Sequence, residues 1–321
     1  MTAGSVRLHS PAGEILNLAN YRVRHAQYKS DPDLQAAHAV APWLAVWDDH
    51  EVENNYAGLS QQDPADGVDF RARRAAAYQA YYEHMPLRSS SVPVNENMLL
   101  YRRVHWGQLA TFHLLDTRQY RSNQACGDGT KVCPDADLPG RTITGATQES
   151  WLLDGLGQHS GTWDVIGQQV FFASRLADSA GATSMDAWDG YRASRARIQQ
   201  GMVDRAVPNP VVLTGDVHAA WASDLKLDYR NPSSRTLGVE LVATSIASGG
   251  DGSEGDYSAW IARNPHIKFG NSRRGYLRVT LTPAQLRADY RRLPAVSVRN
   301  QPVNTVRSFV VPAGQPGLLP G

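Results

Sequence analysis

Trp43-Leu44-Ala45-Val46-Trp47-Asp48-Asp49-His50-Glu51 is an apolar run that stops abruptly in four consecutive ionisable side chains. The first half predicts a buried strand and the second half the loop leaving its C-terminal end. Crowding Asp48, Asp49, His50 and Glu51 at a strand end is costly, because like charges repel where solvent is scarce. A cation would remove that cost. Carboxylates suit hard cations, imidazole suits transition metals, and a mixed set suits a site holding more than one ion. The plainer reading is a polar loop whose acids cap the next segment.

Val211-Val212-Leu213-Thr214-Gly215-Asp216-Val217-His218 repeats the device much later in the chain. Asp216 and His218 are two apart on a chain leaving a strand, so both can point to one side. Two such clusters on neighbouring strand ends would supply oxygen and nitrogen ligands for a two-metal centre. Paired metals ~3.5–4 Å apart clamp a phosphoryl group and lower the pKa of bound water to roughly 7. A histidine beside them can hydrogen-bond phosphate or protonate the leaving alkoxide. Taken alone, the histidine after a buried strand is as readily a core residue.

At 321 residues and 42% hydrophobic, the chain can bury a large core, as one large domain or two tightly joined ones. With 32 basic and 31 acidic residues the net charge is +1, so no global field steers it to nucleic acid or an anionic membrane. No run approaches the ~18–20 apolar residues of a membrane span. The opening residues, Met1 to His9, have neither the apolar core of a secretory signal nor twin arginines, so no export signal is read there. Cys126 and Cys133 flank a Gly- and Asp-rich loop at a spacing wrong for a zinc knuckle. A small disulfide-closed loop is the better reading than free thiols, and it implies an oxidising compartment.

Residues 15–41 carry helical spacing, divided at Asp31-Pro32, with Asp31 as N-cap and Pro32 as first helical residue. A helix is expected over residues 70–83 with Arg71, Arg73 and Arg74 on its wet face. Met98–Trp106 and Leu109–Leu115 alternate around Gly107-Gln108, a hairpin signal. Residues 148–156 predict a short helix and residues 163–167 a strand. Residues 185–205 are helical with arginines outward, and strands follow at 221–229, 236–244, 275–282 and 286–292. The tail, about residues 301–321, is marked by proline and glycine and expected to be peripheral. Alternating strands and helices whose loops bear Asp and His argue for a layered α/β fold, where ligands gather at the C-terminal ends of strands.

The sequence resembles the PhoD-type alkaline phosphatases of the metallophosphoesterase group. The resemblance runs in order through residues 20–28, Trp47-Asp48-Asp49-His50-Glu51-Val52-Glu53-Asn54-Asn55, Asp116-Thr117-Arg118-Gln119-Tyr120-Arg121, residues 213–218 and residues 244–250. It implies a single PhoD-like domain over residues 1–321, an α/β fold built as a four-layer α/β/β/α sandwich, and hydrolysis of small phosphomonoesters and phosphodiesters. It further implies iron and calcium as metals and a periplasmic or secreted full-length parent. A monomer is expected. Carried over by motif, Asp49 matches the first-cluster metal ligand and His50 the phosphate-contacting or acid histidine. Asn55, rather than Asn54, matches the asparagine on the calcium side. Asp216 and His218 match the late ligand motif. Asp48 is either a ligand or the partner of one, and Arg118 either contacts phosphate or is structural.

One departure matters. The family carries a Gly-Ser-Cys motif and a Gly-Asp-x-Ile-Tyr-Glu motif ahead of the region matching residues 15–51, and residues 1–46 match neither. The expectation is therefore a C-terminal portion of such an enzyme, lacking its first strand–helix unit and part of its ligands, with weak or no turnover alone. The alternative is a non-catalytic remnant that binds cation or phosphate. A metal-free hydrolase using Glu51 and Glu53 is a further, weakly supported class.

Overall fold

The computed structural model describes residues 8–62 and 67–321. The reading of Met1–Arg7 as free of an export signal, and of Asp63 to Asp66 as polar loop, lies outside the described residues. The chain runs α1 (Leu18–Lys29), α2 (Pro32–Val40), α3 (Phe70–His84), β1 (Arg102–Trp106), β2 (Ala110–Leu114), β3 (Thr130–Lys131), α4 (Gly145–Leu156), β4 (Trp163–Gly167) and β5 (Thr183–Ser184). It continues through α5 (Arg192–Asp204), β6 (Pro210–Thr214), β7 (Ala220–Lys226), β8 (Thr236–Val242), α6 (Ser258–Arg263), β9 (Ile267–Asn271), β10 (Gly275–Leu281), β11 (Gln285–Arg292), β12 (Asn304–Pro312) and β13 (Leu319–Pro320).

A seven-stranded mixed sheet, ordered β1-β2-β4-β6-β8-β7-β9, forms the centre. β2, β4, β6 and β8 are parallel, so the loops after Leu114, Gly167, Thr214 and Val242 all leave at one edge. One face of the sheet packs on α4 and α5 through Leu152, Leu156, Ile198 and Met202. The other face meets the four-stranded sheet β10-β11-β12-β13, with Val165, Val211 and Val239 opposite Leu286, Tyr290, Phe309 and Val311. A third core joins α1 and α3 to the loop regions, where Trp47 stacks on Tyr78 with ring centres 4.0 Å apart.

The hairpin, the Asp31 cap and the strands at 163–167 and 210–214 stand where the pattern put them. Four expectations are corrected. Residues 43–48 form no strand: Trp43 and Leu44 are exposed, and β1 reaches the segment with a side chain, Arg102 Nη2 donating to the Ala45 carbonyl at 2.8 Å. An apolar run becomes a strand only when a neighbour takes its backbone groups, and among the described residues none does. The tail is not peripheral, because β12 pairs along β11 and buries Phe309 and Val311. Arg73 and Arg74 are buried, donating to the Tyr21 hydroxyl and to the Glu96 carbonyl, while Arg71 does stay wet. Arg195 likewise turns inward, paired with Asp189 at 2.8 Å.

Candidate metal centre

The two ionisable stretches meet. Asp48, Asp49 and Asp216 each offer a carboxylate oxygen, and these oxygens lie within 4.8 Å of one another. Asp216 is delivered by the end of β6. Asp48 and Asp49 are delivered by the segment beside β1, where Asp49 folds its own turn. Its carbonyl accepts from the N–H groups of Val52 and Glu53 at 2.8 Å each, and its Oδ2 accepts from the Asn55 N–H at 2.9 Å. Glu51 serves the same turn, Oε2 accepting from the Asp48 N–H at 2.7 Å. Asp216, His218 and Asn55 all adopt positive φ, at 65°, 52° and 49°. Such conformations are costly for residues with a Cβ and cluster where a site requires them.

Arg118, fully buried in the loop after β2, ties the acids together. Its Nε donates to Asp48 Oδ1 at 2.7 Å, Nη1 to Asp186 Oδ1 at 2.9 Å and Nη2 to Asp216 Oδ1 at 3.3 Å. Arg121 adds a second guanidinium to Asp186 at 2.8 Å. Burial alone would raise the Asp186 carboxyl, but Arg118 and Arg121 hold it well below the ordinary range. Asp216 goes the other way: burial, then the charge of Asp48, push its carboxyl well above the ordinary value, and Arg118 does not offset them. Asp48 is raised as well, again chiefly by burial.

Two imidazoles stand at the rim. His50 is largely exposed, with Nε2 4.0 Å from Asp49 Oδ2. His218 is lowered from the usual imidazole value by burial and by the charges of Arg274 and His50. Arg274 also fixes the backbone there, donating to the His218 carbonyl and to Ser245 Oγ. Asn55 sends its side chain elsewhere: Nδ2 donates to Asp128 Oδ2 at 2.7 Å, in the loop closed by the Cys126–Cys133 disulfide. Asp186, Arg121, Arg274 and Asp128 were not singled out from the sequence. Asp186 falls inside the 185–205 stretch read as helical, although the helix itself begins at Arg192. A second potential cluster, Cys126, Cys133 and Asp135, offers no thiolate because its sulfurs are bonded to each other.

The model of the PhoD-like phosphatase family matches residues 2–290. The chain belongs to the PhoD-like phosphatase family. Alkaline phosphatase D of Bacillus subtilis (strain 168) is 50% identical over 320 residues, a match covering 98% of this chain and 55% of that relative. A solved structure described as the structure of PhoD superposes with a TM-score of 0.93 at 50% identity, covering 98% of this chain and 61% of that one. This PhoD-like chain thus spans a little over half the length of the curated relative it matches.

Proposed function

We propose that the chain carries the acid half of a metal-dependent phosphoester hydrolase acting on small phosphomonoesters and phosphodiesters. The observation that carries this reading is the convergence of Asp48, Asp49 and Asp216 from two distant stretches into one oxygen-rich cluster. Burial, then the charge of Asp48, raises the Asp216 carboxyl. Oxygen donors fit a hard cation such as calcium, and Asp48, Asp49 and Asp216 would hold it. Iron, implied by resemblance, prefers donors beyond this carboxylate set, and His218 is the nitrogen candidate by its place in the late motif. When bound, such metals supply an activated water and charge stabilisation at phosphorus.

Within that reading Arg118 is a fixed counter-charge, since its donors are directed at Asp48, Asp186 and Asp216. Asn55 positions Asp49 rather than binding metal itself. The lowering of His218 below the usual imidazole value favours the neutral form that a metal ligand needs. His50, exposed beside Asp49, faces an arriving phosphate. The disulfide fits a secreted or periplasmic parent. No helix among the described residues is long and apolar enough to cross a membrane. We further propose the four-layer sandwich lacking its first strand–helix unit, on the ground that residues 43–48 are reached by Arg102 of edge strand β1 yet have no backbone partner among the described residues. A monomer is proposed as well.

Hydrolysis of p-nitrophenyl phosphate and its bis ester, with iron and calcium added, tests the reading. Expected is slow, chelator-sensitive turnover that Asp216→Asn abolishes, slow because three carboxylates do not complete a two-metal centre. Chelator-insensitive turnover would overturn the metal reading, and rapid turnover would overturn the ligand shortage. Tight phosphate binding without hydrolysis would support the second reading, a binding remnant. That reading draws on the cation already supplied by Arg118.

A further inference from the structure

Arg175 lies in the loop between β4 and β5, among rings. Its guanidinium carbon stands 4.8 Å from the ring centre of Phe171, 5.4 Å from Trp221 and 5.5 Å from Trp260. Trp221 packs edge-on against Tyr257 at 4.9 Å, which extends the aromatic wall. The backbone N–H of Arg175 donates to Asp189 Oδ2 at 2.8 Å. Among the described residues, though, its guanidinium makes no hydrogen bond or ion pair. Arg118 and Arg274, by contrast, aim theirs at carboxylates and carbonyls.

None of its nitrogens is a buried orphan, so this part-buried guanidinium keeps its donors open to solvent and free for an arriving anion. Ring faces contribute about 0.5–2 kcal/mol to a cation but accept no conventional hydrogen bond. Arg175 stands in the loop leaving β4, at the sheet edge where parallel β6 delivers Asp216, and at the root of that loop the Gln169 carbonyl accepts from the Gly215 N–H at 3.0 Å. Trp260 and Tyr257 are only partly buried and leave an aromatic surface beside it.

We propose that Arg175 is an anion-docking residue beside the acid cluster: its fork receives phosphate oxygens, and Trp260 and Tyr257 seat an aromatic group carried on that phosphate. The inference rests on the phosphoester reading and narrows its substrates to phosphate esters bearing an aryl or similarly flat group. A planar fork matches two phosphate oxygens, which a lysine ammonium does not.

Calorimetric titration of the full chain in calcium buffer with inorganic phosphate and with phenyl phosphate tests it, alongside a separate calcium titration. Expected for Arg175→Met is at least about tenfold weaker binding of both anions, the loss of a charged hydrogen bond, with calcium binding unchanged. Trp260→Leu weakens phenyl phosphate and spares inorganic phosphate. If Arg175→Met does not fold, Arg175→Lys decides: weakened phosphate binding supports docking, and wild-type affinity overturns it. Calcium binding with phosphate affinity indifferent to Arg175 would sink this assignment alone. Failure of the wild-type chain to bind either calcium or phosphate would sink the phosphoester reading with it.

Discussion

The two acid-bearing exits look alike in sequence and are built differently. Asp216 leaves β6, a central strand paired on both sides by β4 and β8. Asp48 and Asp49 leave a segment with no strand partner among the described residues, held by Arg102, by the stacking of Trp47 on Tyr78 and by the turn Asp49 makes for itself. One exit inherits its rigidity from the sheet, and the other assembles it from side chains. Arg118 is the tie between them, bonded to Asp48 on one side and Asp216 on the other.

Removing that tie gives the largest expected effect. Arg118→Met leaves Asp48 and Asp216 without their cation, while Asp186 keeps Arg121, and breaking a buried pair destabilises by about 3–5 kcal/mol. Urea unfolding measures it, and a loss below about 1 kcal/mol, the range of a surface pair, would mean the two exits are not tied.

Next come the exits taken singly, for which opposite signs are expected. Asp49→Ala frees the N–H groups of His50 and Asn55 and should destabilise by about 1–3 kcal/mol. Faster hydrogen exchange should stay confined to residues 49–55. Asp216→Asn should stabilise the cation-free chain at pH 8. Its folded pKa is raised, so the ionised form costs stability above the unfolded pKa, and the asparagine removes that cost. The gain in Tm should vanish below about pH 4, where the carboxyl is protonated in both states. A drop in Tm at pH 8 would break the contrast.

Most of the sheet was legible because its strands are short apolar runs bounded by turns, as at 163–167 and 210–214. The extended segment 43–48 was not, because the same run can lie beside a sheet without joining it, and only the neighbours decide. β12 was missed for the converse reason: Pro302, Pro312 and Gly314 mark it as loop, yet its pairing with β11 is settled by partners 12 to 27 positions away in sequence, Arg292 with Asn304 and Gln285 with Pro312. At the site, the aspartates and histidines announced themselves by crowding. Asp186 and Arg175 did not, since one lies within the stretch read as helical and the other is explained only by rings from Phe171, Trp221 and Trp260.

Behind the second exit, Glu240 is buried in β8. It accepts from the Phe172 and Ala173 N–H groups at 2.7 and 2.8 Å and from Thr214 Oγ1 at 2.7 Å. Burial pushes its carboxyl up to about 7. The raised value means stability present at low pH is lost as pH rises from the unfolded carboxyl value, about 4.3, through about 7. Glu240→Gln should flatten that part of the Tm profile, and an unchanged slope would refute the assignment. The smallest effect is expected at the first exit. Asp128→Ala removes the acceptor of Asn55 Nδ2 and should cost about 0.5–1.5 kcal/mol, read as a small shift in the urea midpoint.

The most direct measurement is a calcium titration by calorimetry of the wild-type chain, Asp49→Asn, Asp216→Asn and the double variant. If acids from both exits share one ion, each single change should abolish binding, and the double should be no worse than either. Calcium binding that survives Asp216→Asn at wild-type affinity would contradict the shared pocket.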